Sequence, residues 1–468
     1  MVRGYMRNIY TEFLNKVKSA DLDIAIIGDA MVDDYRQVDI KGISPEFPIP
    51  VMRAHGGSRM LPGGAANVAY QLVGFGKKAP LYALVDPEAM SVLGQCGLET
   101  GFSHQIVTKI PRKQRFYCGD FPLTRLDIEQ DGYGLAPEAL CQTANALFRS
   151  LSNHRCVIFS DYDKGVLRYA TPELMRRFPI SIVDPKNGNL ERWKGCTVFK
   201  PNEAEALRLS GKKCVIEAGR YLSSFLGSSV VITQAGKGVM VFSEGREPAM
   251  VSPPSRLGRP ESVVGAGDCF VAFLAMSLCC GFGLLEAVEI AFRAGTIYVR
   301  SKHNEPLSPR RFLADVDPLA SKIITEGDIP TLFSERDFRL VFTNGCYDML
   351  HRGHVHGFQY AQSTGKLIVA VNDDQSVRRL KPGRPVQRLD ERMEMVASCQ
   401  FVDFVIPFGD PTPERVIRLI RPDAVAKGEE YAERDIVGYG LVPEIIRIPM
   451  LEGFSTSSLL ARISSIHD

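Results

Sequence analysis

Short apolar runs alternate with segments of helical periodicity along the first two thirds of the chain. Such runs occupy residues 24–27, 156–159, 180–183 and 230–233. Near-continuous apolar strands separated by helices are typical of a mostly parallel sheet that is covered by helices on both faces. The pattern therefore predicts one large α/β domain over residues 1–318.

Two stretches of this first domain do not have the periodicity of a helix. Residues 38–55 are rich in proline, glycine and β-branched side chains. In residues 115–130, apolar side chains such as Phe116, Cys118 and Phe121 alternate with polar ones. Both features are typical of strands. They predict a small β-lid that projects over the sheet edge, with two ordinary surface loops as the alternative.

A second α/β pattern begins after a weakly periodic segment that contains Pro330. Apolar runs at 340–342 and 366–372 enclose a predicted helix, which is the βαβ arrangement whose carboxyl edge holds ligands. We therefore predict a linker over residues 319–336 and a second domain over residues 337–468.

The composition describes a globular protein without a strong overall charge. Of its 468 residues, 45% are hydrophobic and 24% are charged, and the net charge is +2. Neither nucleic acid nor a membrane surface is therefore an expected partner. No uncharged run reaches the roughly 18 residues of a membrane span. Eleven cysteines without a C-x-x-C pair favour a reducing, cytoplasmic location and no structural metal site.

Two histidines stand three residues apart in the tetrad His351-Arg352-Gly353-His354, which follows the first strand of the second domain. At the start of a helix the two imidazoles share one face, and Gly353 lets a phosphate approach outward-pointing amides. A structural or metal-binding pair is the alternative. Because the tetrad lies inside a βαβ unit, we interpret it as a nucleotide-phosphate site.

The first domain has no G-x-x-x-x-G-K-[ST] sequence, so a nucleotide there requires another phosphate-binding device. Residues 263–268 read Val-Val-Gly-Ala-Gly-Asp and precede a long apolar helix. Amides at the helix start can form an anion hole, and Asp268 can take a proton from an attacking hydroxyl. A tight loop with Asp268 as a helix cap is the alternative. Other polar groups follow predicted strands or begin helices in segments 28–33, 62–69, 160–165, 184–186, 200–205 and 233–238.

Residues 22–315 resemble the ribokinase-type (PfkB) carbohydrate kinases through the glycine-rich segment 62–69 and the G-A-G-D segment 265–268. The resemblance implies that Asp268 is the base that deprotonates a sugar hydroxyl, with ATP as co-substrate and Mg²⁺ as cofactor. It also implies a lid that closes over the sugar and pairs two subunits into a homodimer. The implied site residues are Asp33, Gly63, Gly64 and Asn67 for the sugar, Gly265, Ala266 and Gly267 for the anion hole, and Asn202, Glu205, Thr233, Gly236 and Gly238 for nucleotide and magnesium.

The kinase segment departs from the family at two positions. Ser262 and Val264 stand where the family often has an aspartate and a threonine near a monovalent cation and the nucleotide. A carboxylate and a hydroxyl are ligands suited to a hard cation. Their replacement puts potassium activation in doubt, while the base is retained.

Residues 339–465 resemble the cytidylyltransferase-like nucleotidyltransferases, in which a strand leads into an H-x-G-H helix of a Rossmann-like domain. The resemblance implies that His351 and His354 contact the nucleoside triphosphate and stabilise charge on the α-phosphorus and the leaving pyrophosphate. Catalysis of this kind rests on positioning and electrostatics. Lys381 is implied to reach the triphosphate and the acceptor phosphate. The other implied nucleotide-binding residues are Thr343, Asn344, Lys427, Ser455, Thr456 and Ser457.

The combination of these two domains in this order resembles the bifunctional heptose-7-phosphate kinase/heptose-1-phosphate adenylyltransferases. It implies phosphorylation of heptose 7-phosphate at C1 by ATP. After a separate phosphatase has removed the 7-phosphate, AMP would be transferred from ATP to heptose 1-phosphate with release of pyrophosphate. The product, ADP-heptose, would serve the lipopolysaccharide core, and the partners would be ATP and heptose phosphates. Two alternatives remain: a kinase/cytidylyltransferase for another sugar or polyol phosphate, and an adenylyltransferase with a decayed kinase scaffold.

Overall fold

The computed structural model describes residues 9–99, 107, 109–151, 153–253, 264–300, 304–381, 383–451 and 453–454. The chain divides into two compact units, Met1–Phe312 and Leu313–Asp468, which we call the first and the second unit. Among the described residues, no helix combines the length and apolar character required to cross a membrane.

The first unit is built on an eight-stranded sheet with the strand order β13-β12-β11-β10-β9-β8-β1-β5. Its strands are parallel, apart from β12 and β13 at one edge, which run antiparallel to their neighbours. The strands are β1 (Ile24–Gly28), β5 (Leu81–Tyr82), β8 (Cys156–Ser160), β9 (Ile180–Asp184), β10 (Val198–Phe199), β11 (Ser229–Thr233), β12 (Val239–Phe242) and β13 (Ala249–Val251).

The central strands are buried on both faces because their sequences are almost entirely apolar. Ile27, Phe159, Val183 and Phe199, from four neighbouring strands, pack in one continuous cluster on one face. The prediction of a mostly parallel α/β sheet is confirmed. The helices of this unit are α1 (Ile9–Ser19), α2 (Ala65–Gly74), α3 (Pro87–Gln95), α4 (Pro137–Ser150), α5 (Pro172–Arg176), α6 (Glu203–Ser210), α7 (Val215–Leu226), α8 (Ala266–Cys279) and α9 (Leu284–Tyr298), and α10 (Pro309–Val316) crosses the unit boundary.

A second sheet of the first unit forms the lid, with the strand order β3-β2-β6-β7, and β4 pairs with β2. Strand β2 is buried where it leaves the core and exposed at its far end. The segments 38–55 and 115–130 are therefore strands rather than loops, as the alternation of their side chains predicts. The lid strands are β2 (Ala30–Ile43), β3 (Pro50–Ala54), β4 (Arg59–Gly64), β6 (Arg112–Cys118) and β7 (Phe121–Ile128).

The second unit has a five-stranded parallel sheet with the order β16-β15-β14-β17-β18. Successive connections leave β14 in opposite directions, which creates the switch point where ligands bind in open α/β sheets. Alternate residues face opposite sides, so Phe342 and Ile368 lie in one core cluster and Val341 and Val369 in the other. The elements are β14 (Leu340–Gly345), β15 (Lys366–Asn372), β16 (Phe404–Phe408), β17 (Ala424–Gly428), β18 (Glu444–Ile448), α11 (Pro318–Lys322), α12 (Ile329–Phe333), α13 (Arg352–Gln362), α14 (Asp374–Leu380), α15 (Leu389–Ala397) and α16 (Glu414–Ile420).

The structure differs from the predicted linker over residues 319–336. This segment contains α12 and part of α11, and its Ile324, Ile329 and Phe333 are buried in the same cluster as Phe342. The Ile324 amide also donates to the Val405 carbonyl at 2.8 Å. The short apolar stretches of this segment are therefore part of the core of the second unit, which their weak periodicity did not indicate.

Candidate active sites of the two units

The first candidate site forms where α8 begins. Gly265 precedes this helix with a φ of 75°. A Cβ at this position would lie 2.6 Å from the Tyr298 hydroxyl and 2.7 Å from Asn67 Nδ2, so only glycine fits. The first amides of a helix have no carbonyl partner within it. Gly265, Ala266 and Gly267 therefore offer backbone donors to an anion at this point.

Asp268 lies in the first turn of α8 and its carboxylate is held by two side chains. Asn67 Nδ2 donates to Asp268 Oδ2 at 2.7 Å, and the Tyr162 hydroxyl donates to Oδ1 at 2.6 Å. Burial raises the pKa of Asp268 to about 6, although both hydrogen bonds oppose the rise. A carboxylate with this pKa is ionised at neutral pH and is basic enough to accept a proton.

A buried ion pair lies beside this helix start. Lys200 Nζ is 2.9 Å from Asp184 Oδ1, and both groups follow neighbouring strands of the sheet. Burial opposes the charge on Lys200, but pairing with Asp184 raises the pKa of the amine, so it remains protonated. A Cβ on Gly267 would lie 3.6 Å from Lys200 Nζ. The anion-binding amides of α8 and a fixed cation are therefore adjacent.

Asp33 occupies the start of the lid and is already paired. Arg115 Nη2 donates to Asp33 Oδ1 at 2.9 Å, and Asn304 Nδ2 donates to Oδ2 at 2.8 Å. The Cα of Gly63 faces the same carboxylate, because a Cβ there would lie 2.8 Å from Asp33 Oδ2. Gly64 has a φ of 58° and directly precedes α2. The structure thus brings Asp33, Gly63 and Gly64 together at the base of the lid.

Asn202 and Glu205 form a reciprocal cap on α6. The Glu205 amide donates to Asn202 Oδ1 at 2.8 Å, and the Asn202 amide donates to Glu205 Oε2 at 2.9 Å. Lys186 Nζ also donates to Glu205 Oε1 at 3.3 Å. Thr233 ends β11 and bridges to Asn202. Gly236 is exposed beyond that strand and Gly238 follows it with a φ of 114°, so the predicted nucleotide residues share one sheet edge.

The second candidate site forms where α13 begins, after β14. The rings of His351 and His354 are stacked with centroids 3.8 Å apart, and Tyr347 meets the His354 ring edge-on. The His351 amide points at His354 Nδ1 over 3.4 Å. Burial lowers the pKa of His354 to about 4, with smaller contributions from His351 and Lys381, and burial also lowers the pKa of His351. Both imidazoles are therefore neutral at pH 7.

Gly353 lies in the first turn of α13 and is closely packed. A Cβ at this position would lie 2.8 Å from the Phe454 carbonyl oxygen and 3.1 Å from His351 Nδ1. The Arg352 guanidinium lies over the Phe454 ring at 5.3 Å. Phe454 therefore lies close to the start of α13.

The remaining predicted residues of this unit lie at the ends of its strands. Lys427 Nζ donates to the Asn344 carbonyl at 2.8 Å, and Thr343 Oγ1 donates to the Ala426 carbonyl at 2.9 Å. Burial lowers the pKa of Lys427 to about 8. Lys381 follows α14 and is exposed. The strand ends are thus tied together, and Lys381 is the more accessible of the two lysines.

Two family models match the chain. The pfkB family carbohydrate kinase model matches residues 168–309, and the cytidylyltransferase-like model matches residues 342–458. Full-length relatives add a decisive observation. The bifunctional protein HldE of Campylobacter jejuni is 33% identical over 472 residues, which cover 97% of this chain and 99% of the relative. This chain belongs to the HldE family.

Another HldE, from Azorhizobium caulinodans, is 34% identical and covers 94% of this chain and 98% of the relative. Among solved structures, phosphofructokinase-2 from Escherichia coli in complex with potassium is similar, with a TM-score of 0.52 and 17% identity over 64% of this chain and 100% of that chain. That likeness supports the fold of the first unit. This HldE family member is therefore a bifunctional transferase, with a carbohydrate kinase unit and a nucleotidyltransferase unit.

Several residues of the two sites were not identified from the sequence. Tyr162, Asp184 and Lys200 lie in segments whose polar content is visible, but their contacts to the helix start depend on strand order. In the second unit, Asp348 accepts bonds from the amides of residues 386 and 387 at 2.8 and 3.0 Å. Arg392 is fully buried. It lies between the apolar residues 389 and 396 on one face of an amphipathic helix, and this position could have predicted its burial from the sequence.

Ser262 and the predicted nucleotide-binding residues Ser455, Thr456 and Ser457 lie outside the described residues. Val264 is described and lies directly before Gly265. Within the described residues, no group of three or more histidine, cysteine, aspartate or glutamate side chains is arranged to hold a metal ion.

Proposed function

We propose that this member of the HldE family phosphorylates heptose 7-phosphate at C1 with ATP. After a separate phosphatase has removed the 7-phosphate, it transfers AMP from ATP to heptose 1-phosphate. The observation that carries the proposal is the arrangement around Asp268, whose carboxylate is held by Asn67 and Tyr162 at the start of a buried helix. This arrangement argues against a decayed kinase, because the base, its orienting groups and the anion-binding turn are all retained.

In the kinase step, Asp268 accepts the proton of the C1 hydroxyl while that oxygen attacks the γ-phosphorus of ATP, and ADP leaves. Its pKa of about 6 keeps the base ionised at neutral pH. The amides of residues 265–267 and the ammonium of Lys200 lie where charge develops on the transferred group. Such fixed donors and cations supply most of the catalysis in phosphoryl transfer.

Magnesium is proposed to accompany ATP in the first unit. Asp184 and Glu205 lie close enough for Glu205 to raise the pKa of Asp184, although burial is the larger cause. Carboxylate oxygens together with substrate phosphates are the ligands that Mg²⁺ prefers. These two residues would hold the ion, which neutralises charge on the phosphates.

In the nucleotidyl transfer, an oxygen of heptose 1-phosphate attacks the α-phosphorus of ATP and pyrophosphate leaves. Because His351 and His354 are neutral before the nucleotide binds, they act first as N–H donors to phosphate oxygens. The charge of the triphosphate favours protonation of the rings once it is bound. Lys381 supplies a further cation close to His354.

We also propose a cytoplasmic homodimer that is joined through the lid. The lid exposes several large apolar side chains on the strands β2, β3 and β7 and on the turn between β2 and β3, and pairing of lids would cover them. All eleven cysteines are free, which supports a reducing compartment. The exposed apolar residues are Ile40, Ile43, Phe47, Ile49, Val51, Met52, Phe121, Leu126 and Ile128. Light scattering measures the mass of the wild type and of a Phe47→Ser/Phe121→Ser variant. A dimeric wild type and a monomeric variant are expected, and a monomeric wild type would refute the pairing.

The function is tested with purified protein, ATP, Mg²⁺ and heptose 7-phosphate, with products identified by mass spectrometry. A heptose bisphosphate is expected, and ADP-heptose is expected once a phosphatase that removes the 7-phosphate is added. Replacing ATP by CTP with heptose 1-phosphate should give little pyrophosphate. A preference for CTP would instead favour the cytidylyltransferase alternative.

Variants assign each half-reaction to its unit. Asp268→Asn should lower sugar phosphorylation by roughly 10³-fold or more, as expected for loss of a general base and its charge, and should leave AMP transfer unchanged. His354→Gln should do the reverse. Asp21→Asn and His356→Gln, which alter an exposed aspartate and a second histidine of α13, are the matched controls. Equal kinase activity of Asp268→Asn and wild type would refute the assignment of the base.

A further inference from the structure

Lys113 is an unpaired cation on the lid strand β6. Its neighbours on this strand are paired: Arg112 Nη2 is 3.0 Å from Asp86 Oδ2, and Arg115 Nη2 is 2.9 Å from Asp33 Oδ1. Within the described residues, the Lys113 amine forms no hydrogen bond or ion pair. It lies over the Tyr162 ring, whose centroid is 5.4 Å from Nζ.

The position of Lys113 places its amine inside the kinase site. Strands β2 and β6 are parallel, and Lys113 is the register partner of Asp33, so the two side chains lie on the same face. Tyr162, below the amine, donates its hydroxyl to Asp268. Lys113 therefore stands between the proposed sugar-binding Asp33 and the proposed base Asp268.

The carboxylates around Lys113 are bonded to other side chains. Burial and the charge of Arg115 lower the pKa of the amine, while Asp33, Asp268 and Asp127 act in the opposite direction. Asp33 is already bonded by Arg115 and by Asn304 at 2.8 Å, and Asp127, the cross-strand partner of Lys113, accepts from Arg125 at 2.9 Å. A partly buried ammonium without a bonded anion is unfavourable unless a ligand supplies one.

We propose that Lys113 binds the phosphate group that the acceptor sugar already carries, and so selects phosphorylated sugars over free sugars. The inference rests on the proposed kinase function and identifies Lys113 as the residue that recognises the phosphate charge of the substrate. A phosphate dianion offers several strong acceptors and pairs with a lysine as a point charge. A neutral ring hydroxyl would leave the ammonium without a counter-charge. Because Lys113 is part of the lid, the same contact would draw the lid towards a charged substrate.

The transferred phosphoryl group is the other anion in this site, and the structure already provides a cation for it. Lys200 lies beside Gly267 at the helix start, whereas Lys113 lies on the lid beside Asp33. The two lysines therefore approach the sugar and the nucleotide from different elements. This separation favours Lys113 as the ligand of the phosphate on the sugar.

The test measures binding and turnover of heptose 7-phosphate and of unphosphorylated heptose. Calorimetric titration without nucleotide gives the dissociation constants, and steady-state kinetics give kcat and KM for the wild type, Lys113→Met and Lys113→Arg. Loss of a charge-assisted bond predicts about 10- to 100-fold weaker binding of the phosphorylated sugar by Lys113→Met. Binding of the free sugar should change by less than about threefold, the scatter of neutral substitutions. Lys113→Arg should recover part of the loss, and Lys109→Met, which removes an exposed lysine four residues earlier, is the control.

Four results would overturn the proposal. Equal weakening of both sugars by Lys113→Met would assign the amine to a sugar hydroxyl, and a fall in kcat alone would assign it to the transferred phosphoryl group. Unchanged binding of both sugars would show that Lys113 does not contact the sugar. If the wild type binds heptose 7-phosphate but does not phosphorylate it, the proposed function fails while the role of Lys113 is still decided by the titrations. If the wild type binds neither sugar, both proposals fail.

Discussion

Replacement of Arg392 by methionine is expected to destabilise the second unit specifically. Arg392 lies on α15 with no exposed surface, and its guanidinium reaches three separate segments. Nη1 donates to the carbonyls of Cys346 and Asn372, each at 2.7 Å, and Nη2 donates to Asp374 Oδ1 at 2.6 Å. Nε donates to the Gln387 carbonyl at 3.1 Å. One side chain thus ties the ends of β14 and β15 to the loop that follows Lys381.

The size of the effect follows from these contacts. Methionine fills a similar volume but leaves the carbonyls and the Asp374 carboxylate without their donor. Removal of one partner from a buried charged network costs about 3–5 kcal/mol. In a unit of this size each kcal/mol lowers the midpoint of thermal unfolding by about 2–4 °C. The expected decrease is therefore roughly 6–20 °C for the second unit.

The chain provides an internal reference for this measurement. Its single tryptophan, Trp193, is buried in the first unit, so tryptophan fluorescence follows that unit alone. Far-ultraviolet circular dichroism follows both units. Arg392→Met should lower a transition in the dichroism signal and leave the fluorescence midpoint in place.

The matched control is Arg388→Met, which changes an arginine at the start of the same helix whose side chain is 72% exposed. Exposed ion pairs contribute about 0–1 kcal/mol, so a decrease of only a few degrees is expected. If Arg392→Met and Arg388→Met unfold at the same temperature, the reasoning is refuted. At a temperature where both variants are folded, Arg392→Met should also lower kcat of AMP transfer more than it raises KM for ATP, because the strand ends carry the reacting groups.

Three further outcomes are expected. Tyr162→Phe removes a hydrogen bond that lowers the pKa of Asp268. The acidic limb of the kinase pH–rate profile is expected near pH 6 in the wild type and should move to higher pH in this variant. An unmoved limb would show that another group is titrated. His354 has a lowered pKa of about 4 in the folded state, so the unfolded chain binds more protons between pH 6.5 and 4. The stability of the second unit should therefore fall as the pH decreases through that window. Chemical denaturation should show a smaller decrease in stability for His354→Gln, and an identical decrease would contradict the assignment. Gly265→Ala should abolish kinase activity in an ATP-consumption assay, because its Cβ would meet two side chains at 2.6 and 2.7 Å. The control Gly281→Ala has a φ of 79° and open space around it, so it should lose about 1–2 kcal/mol of stability but keep its activity.

Much of the fold could be read from local pattern. Continuous apolar runs are buried strands because a parallel sheet covered on both faces exposes neither side. Alternation predicted the lid strands, although β3 is exposed throughout and β7 almost throughout. The segment 319–336 was missed because its core residues are too few to establish a period. Their burial depends on a neighbouring strand, β16, that is about 80 positions away in the sequence, as the Ile324–Val405 bond shows.

The sequence by itself determined the two-part α/β plan and the segments that carry the chemistry, because glycine-rich turns, helix starts and an H-x-G-H tetrad need particular residue types in a fixed local order. Only the tertiary structure decided which distant side chains complete those segments. Tyr162 and Asn67 reach Asp268 because the end of β8 and the start of α2 lie beside the start of α8. Arg392 reaches two strand ends because α15 packs beside them. The protonation of His354 also depends on tertiary packing, since burial is the largest cause of its lowered pKa.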